Sequence, residues 1–276
     1  MKSALEAYLK EQKIEYYGVL SYSDCREIGK EIIERSGIVP RSVILYLVPY
    51  YVGDGENFSS YATSYDYHII LREIGEGIIS LLKQYFPDSH SVAYGDHSPI
   101  DEKYAAASLG LGVIGLNKLL INEKYGSYVF IGDVVTDVDP EKLCAQEPVL
   151  PGGCIGCGKC LDACPTGILS GDESLGCLSE ITQRKGELTD VEIALMRSVG
   201  TAWGCDECQR CCPHNEKIAV TGIEFFHRER ITRLERDAVE EMDRSAFAKR
   251  AFSWRGKKTV IRNIDILEGG TACEGE

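Results

Sequence analysis

Apolar positions in the first half of the chain switch repeatedly between helical and strand spacing. Residues 3–13 put Leu5, Tyr8 and Leu9 on one face, which predicts a helix. Residues 16–20 read as a short strand. Asp24 then caps a predicted helix that runs to about residue 36, where Gly37 stops it. Residues 42–50 (SVILYLVPY) are continuously apolar and β-rich, the pattern of a buried strand. A glycine- and serine-containing loop follows over 52–64. Residues 66–86 form the longest predicted helix, with Ile70, Ile74, Ile78, Leu81 and Leu82 in one stripe and Pro87 at its end. Residues 91–94 read as a strand leading into Gly95-Asp96. Residues 101–109 read as a helix stopped by Gly110, and 119–122 with 127–136 as a hairpin around Glu123-Lys124-Tyr125-Gly126. These elements predict an α/β domain over residues 1–139.

The pattern changes over 140–223, where cysteines dominate. One run is Cys154-x2-Cys157-x2-Cys160-x3-Cys164-Pro165. A second is Cys205-x2-Cys208-x3-Cys212-Pro213, with Cys177 standing alone upstream. The first run has bacterial ferredoxin spacing, in which the fourth cysteine ligates the other cluster of a pair. Two-residue gaps let a tight loop aim three thiolates at one cubane. The longer gap carries the fourth thiolate out of reach, and proline stops the loop from continuing as a helix. One [4Fe–4S] cluster then takes Cys154, Cys157, Cys160 and Cys212. The other takes Cys164, Cys177, Cys205 and Cys208. Zinc sites use closed sets of four ligands in C-x2-C pairs, and two interlocked runs that each end in Cys-Pro fit zinc less well. Cys211 competes with Cys212 for a ligand place, and the Cys-Pro step favours Cys212. Cys25, Cys144 and Cys273 read as free buried thiols. A helix is expected over about 189–199. Residues 224–276 are polar, helical over 225–255, and thin to a frayed tail over 269–276.

Composition adds limits. The chain has 276 residues, 44% of them hydrophobic, and 12 are cysteines. No apolar run approaches the ~18 residues that span a membrane, and residues 1–6 lack the apolar core of an export signal. Cysteine-rich sequence without an export signal points to a reducing cytoplasm and metal ligation. The formal net charge of -13 argues against broad nonspecific nucleic-acid binding. Basic stretches at 227–236 and 249–258 leave room for a local patch.

Several motifs occur in one order: Asp66-Tyr67-His68; Asp96-x-x-Pro99; Leu111-Gly112-x-x-Gly115; Gly126-Ser127-Tyr128-x-Phe130-x-Gly132-Asp133; Gly204-Cys205-Asp206-Glu207-Cys208-Gln209; and Cys212-Pro213-x-Asn215. Together, over roughly residues 42–263, they resemble the epoxyqueuosine reductases. The lone Cys177 also sits where that family carries its isolated ligand. Two departures stand out. Leu116 follows Gly115 where relatives commonly have lysine, and Tyr61-Ala62-Thr63-Ser64-Tyr65 lacks the family's usual glycine.

The resemblance implies a cobalamin-binding-type α/β domain, a ferredoxin-like double [4Fe–4S] domain over 140–223, and short C-terminal helices over 224–276. It also implies a short member without the family's C-terminal helical-repeat domain. The implied activity is reductive deoxygenation of the epoxide of epoxyqueuosine, with two clusters and cobalamin as cofactors. An external electron donor and a modified nucleoside, small or tRNA-borne, are the implied partners. Asp96 takes the place of the proton donor and His68 lies near the same pocket. Gly126 and Ser127 form a turn that also approaches the corrinoid. Read without the resemblance, Asp96 is an ordinary residue before a helix, His68 is a packed helix histidine, and the chain is a two-cluster electron carrier feeding a partner enzyme.

Overall fold

The computed structural model describes residues 1–269 and divides them into two compact units. The first unit comprises residues 1–50, 67–156 and 221–223; the second takes 51–66, 157–220 and the chain from 224 onward. This division differs from the expected boundaries at 139 and 223. Backbone pairing within the second unit explains one difference: the 57–60 segment runs beside 202–204, so the loop after residue 50 folds with the cysteine-rich half.

The first unit is built on helices α1 (Lys2–Glu11), α2 (Lys30–Ser36), α3 (Tyr67–Tyr85), α4 (Glu102–Ser108) and α5 (Pro140–Leu143). Its strands are β1 (Tyr17–Ser21), β2 (Ser42–Pro49), β3 (Ser91–Gly95), β4 (Val113–Ile114), β5 (Leu120–Ile121) and β6 (Val129–Thr136). The main sheet has the order β1-β2-β6-β3, and every pairing in it is antiparallel. Strand β2 is buried along its whole length because helices cover both faces of the sheet. On one face α3 packs against β3 and β6, and Tyr46 donates its hydroxyl to the Leu71 carbonyl at 2.8 Å. On the other face Leu45, Leu47, Val43 and Val135 meet Ala105, Ala106 and Leu111 around α4.

Two sequence expectations change here. The helix expected from Asp24 begins at Lys30: residues Tyr22–Asp24 make a 3-10 turn instead, and Gly29 precedes the helix. The expected hairpin of 119–122 with 127–136 does not form. Strand β5 pairs with β4, β6 enters the main sheet, and a single bridge, Asn122 with Gly126, closes the turn between them. Eight continuous sheet partners on β2 outcompete a local hairpin that has only one such pair.

The second unit contains α6 (Lys159–Asp162), α7 (Leu178–Gln183), α8 (Asp190–Val199), α9 (Glu207–Arg210), α10 (Arg236–Glu241), α11 (Arg244–Ala248) and α12 (Lys257–Leu267). Thr189 and Glu192 close a capping box at the start of α8, and Gly200 ends it in the left-handed region. Trp203, Phe58, Phe226 and Phe252 are fully buried. The helical stretch expected over 225–255 forms as short pieces, and α12 continues the short C-terminal helices expected over 224–276. Val260, Ile264 and Ile266 bury that helix. Asn263 fixes it further, donating to the Thr182 and Ala202 carbonyls at 2.6 and 2.7 Å. Of the expected tail, residues 270–276, including Cys273, lie outside the described residues.

Candidate functional site

In the first unit β3 ends at Gly95, and the next residue, Asp96, has φ +66°, a left-handed conformation unusual outside glycine. This turn aims the Asp96 carboxylate at the start of α3. The Tyr67 hydroxyl donates to Asp96 Oδ2, and His68 Nε2 lies 3.6 Å from the same oxygen. Tyr67 is held by stacking: its ring lies 3.9 Å from Phe130 and 4.2 Å from His68, and Phe130 stacks on Tyr50 at 4.4 Å. The Asp96 side chain is 55% exposed and that of His68 46%, so both meet solvent as well as each other. A cavity of about 220 Å³ adjoins them, lined by His68, Leu71, Arg72, Tyr94, Gly95 and His97. A phenol and an imidazole beside one carboxylate oxygen are groups that can exchange protons.

Beneath this turn lies a second acid pair that the sequence reading missed. Asp133 on β6 is fully buried, and Ser98 Oγ donates to its Oδ2 at 3.1 Å. Glu102, the first residue of α4, lies close enough to Asp133 for the two carboxyls to act on one another. Burial first, and then the neighbouring Asp133, raise Glu102 well above the usual carboxylate range. Burial raises Asp133 too, against the opposing effect of its hydrogen bonds. The signal in the sequence was an aspartate in the middle of an otherwise apolar strand, 129–135.

Gly126 has φ +56° and Ser127 is 4% exposed. Asn122 organises their turn: its Oδ1 accepts from the amides of Lys124 and Tyr125, and its Nδ2 donates to the Leu111 carbonyl.

The cysteines divide as follows. Cys154 falls in the first unit; Cys157, Cys160, Cys164, Cys177, Cys205, Cys208 and Cys212 fall in the second. Within the second unit Cys177, Cys205 and Cys208 lie close enough to act on one another electrostatically. Helix α6, which carries Cys160, packs on α9, which carries Cys208. Cys160 and Cys212 are both buried, and both act on Cys211. Cys211 itself turns its thiol toward the Cys208 carbonyl at 3.7 Å. Burial raises the Cys164 thiol, but the amides of Leu169, Thr166 and Gly167 and the Thr166 hydroxyl outweigh it and lower the net value. That favours the thiolate, the form that binds iron. Cys25 is half-buried, and burial pushes its thiol up to about 12. Cys144 is exposed, contrary to the buried thiol expected, because it occupies the left-handed cap that ends α5.

The loop that carries Cys205 and Cys208 is pinned by Asp206, which is 3% exposed. Its carboxylate accepts from the Ser59 hydroxyl and, at 2.7 Å, from the Ser60 amide. Gly204 (φ +71°) permits the close approach, since a Cβ there would stand 2.5 Å from the Ser59 Cβ.

Fold and site together define a class: an α/β unit whose strand-end turn sets a carboxylate beside a phenol and an imidazole, joined in one chain to a two-cluster iron–sulfur module. Residues 153–215 match the family described as a 4Fe-4S double cluster binding domain. Over 224 residues the chain is 34% identical to the epoxyqueuosine reductase of Lactococcus garvieae, covering 75% of this chain and 60% of that one. It is 33% identical to that of Listeria monocytogenes, over 73% of this chain and 54% of the other. The Cyclobacterium marinum enzyme is 28% identical over 85% of this chain and 77% of its own length. The structure of epoxyqueuosine reductase from Streptococcus thermophilus superposes with a TM-score of 0.76 over 97% of this chain and 80% of that one, at 23% identity, which establishes a shared fold. The chain is a relative of the epoxyqueuosine reductases, and it spans little more than half the length of the first two of these relatives.

Proposed function

We propose that this protein is a two-cluster, cobalamin-dependent reductase that deoxygenates an epoxide on a modified nucleoside. The observation that carries the reading is the convergence of His68 and Tyr67 on the Asp96 carboxylate, in a chain that also has the cysteines for two [4Fe–4S] clusters. Removing an epoxide oxygen takes two electrons at carbon and protons at the departing oxygen. Side chains supply the protons but not the electrons.

Asp96 is the proton donor in this reading. It is exposed enough to meet a substrate, and the left-handed turn and the Tyr67 hydroxyl fix its direction. His68 returns the proton to it after each turnover. The eight cysteines form the donor set of two clusters, which pass electrons singly. Cobalamin, if bound, would supply two-electron chemistry at the substrate carbon, which no side chain here provides. The 220 Å³ cavity lies below the ~300–1,000 Å³ usual for small-molecule pockets, so it fits a substrate fragment rather than a corrin ring. The substrate-bearing molecule in this reading is tRNA; one related epoxyqueuosine reductase has been crystallised with an epoxyqueuosine-modified tRNA-Tyr stem loop. An external reductant and a reducing cytoplasm complete the reading. No helix among the described residues is long and apolar enough to cross a membrane.

The test is anaerobic purification with cobalamin, metal analysis, and turnover on an epoxyqueuosine-modified stem loop beside the free nucleoside. About eight irons and one cobalt per chain are expected, with Asp96→Asn abolishing turnover while metal content stays. Intact clusters that retain no cobalamin would refute the reductase and leave an electron carrier. Turnover of the nucleoside alone would refute the tRNA substrate.

A further inference from the structure

Asp133 occupies a position in the middle of the main sheet. It lies on β6, paired with Leu45 of β2 on one side and Tyr94 of β3 on the other. Its side chain enters the apolar layer under α4 and is fully buried. Glu102 reaches it from the first turn of α4. Each acid leaves one oxygen, Asp133 Oδ1 and Glu102 Oε1, buried with no N–H or O–H donor upon it. Two ionised carboxylates are acceptors only and repel at this range. The contact is favourable only if one of them carries a proton that both share. The groups around them do not replace that proton. Tyr94 from β3 and Cys25 from the segment after β1 lie near Asp133, and Tyr46 lies across the sheet on its α3 face; burial raises all three and keeps them neutral. Asp96 adds a further negative charge on Glu102, and Lys103, its neighbour in sequence, acts in the opposite sense.

The pair is wired to the site through one residue. Ser98 donates to Asp133 Oδ2, and its own Oγ accepts the Ile100 amide at 3.3 Å. Ser98 is 5% exposed and lies two residues after Asp96. The far end of the same loop is tied separately, by the Ile28 and Gly29 amides on the Pro99 carbonyl.

We propose that Asp133 and Glu102 are positioning residues: a buried carboxyl pair, held together by one shared proton, that anchors Ser98 and so fixes the left-handed turn presenting Asp96. The inference rests on reading Asp96 as the proton donor, and it adds a requirement that the pair remain singly protonated. Deprotonation places two charges in an apolar layer and loosens the loop. The anchor, not Asp96, then sets the alkaline limit of the site.

The test uses the full chain with its clusters, prepared anaerobically, and reads amide exchange in the 96–101 segment across pH by mass spectrometry. In the wild type, protection of this segment should fall at alkaline pH beyond the chemical trend. Glu102→Gln supplies a permanent N–H donor to Asp133, so protection should persist there. Asp133→Asn keeps an acceptor for Ser98 and should behave similarly, whereas Asp133→Leu should raise exchange at least tenfold at every pH. Should Asp133→Leu fail to fold, Glu102→Gln, nearly isosteric at a helix start, decides alone. Identical pH dependence in Glu102→Gln and wild type would overturn the proposal. Turnover read in parallel separates the two ideas. If Asp96→Asn stays active while the exchange results hold, the proton-donor assignment fails and the anchor survives. If Asp96→Asn is inactive and the exchange is unmoved, the anchor fails.

Discussion

Replacing Asp206 by alanine tests how the second unit holds its cysteine loop. The carboxylate is almost fully buried between Cys205 and Cys208 in sequence, and accepts from the Ser59 hydroxyl and the Ser60 amide. Hydrogen bonds to a charged group contribute about 1.5–3 kcal/mol each, so the two together are worth about 3–6 kcal/mol. Asp206→Ala also removes the desolvation cost of a buried carboxylate, which offsets part of that loss. It leaves the Ser60 amide without this acceptor. A net destabilisation of about 2–4 kcal/mol follows, against a total stability of about 5–15 kcal/mol. At about 2–4 °C per kcal/mol for units of this size, Tm should drop by about 5–15 °C. The assay is anaerobic thermal unfolding, followed by circular dichroism and by the visible absorbance of the clusters. Both signals should move together, because the pinned segment carries two cluster ligands. Asp206→Asn keeps one acceptor oxygen and should fall between. An Asp206→Ala protein that melts within about 2 °C of wild type, under 1 kcal/mol, would refute the reasoning.

Other substitutions probe the remaining claims. Gly132→Ala would put a Cβ 2.4 Å from Tyr46 Cζ; that ring is fully buried and tied to Leu71, so overpacking should cost about 1–3 kcal/mol in urea unfolding. Asp96→Gly should relieve the left-handed backbone, raising stability by up to about 1 kcal/mol, while turnover is lost; an active Asp96→Gly would refute the donor role. Cys212→Ser should lower iron content by about half, and Cys211→Ser should leave it unchanged, by anaerobic iron analysis. Glu102→Gln should flatten part of the stability–pH profile. A carboxyl raised to about 9 in the folded chain stabilises fully below its unfolded value near 4 and loses that contribution as pH climbs toward 9. The wild type should therefore lose more stability than Glu102→Gln between about pH 4 and 9, measured by urea titration.

The sequence carried the local rules well. Helices α1, α3 and α8 and strands β1 and β2 follow from apolar spacing and caps. The cysteine runs read directly as ligand sets because their spacing is itself the chemistry. Long-range pairing was not legible in the same way. Strand β6 reads as half of a hairpin until the partner eight residues long on β2 is known. The buried environment of Asp133 was hidden for the same reason, since an aspartate in an apolar strand declares nothing about what α4 places against it. Asp96 and His68 were legible as motif residues, but their contact depends on β3 ending where α3 begins, a fact of the tertiary fold.

The exposure of Asp96 bears on what such a site needs. A proton donor must meet its substrate, so it cannot be fixed by close packing of its own side chain. Here the Asp96 side chain is half exposed, and the constraints on it come from below and beside: a left-handed backbone, one phenol hydroxyl, and a serine two residues away anchored in the core. Strain of that kind persists only where surrounding structure over-determines it. The buried acids under the loop are therefore not surplus polarity in a hydrophobic layer. They give a core strand a specific hold on the backbone of the exposed turn, which an apolar pair of the same size would not. On this argument the unfavourable burial of Asp133 and the unfavourable φ of Asp96 are two parts of one arrangement, and relieving either should loosen the other.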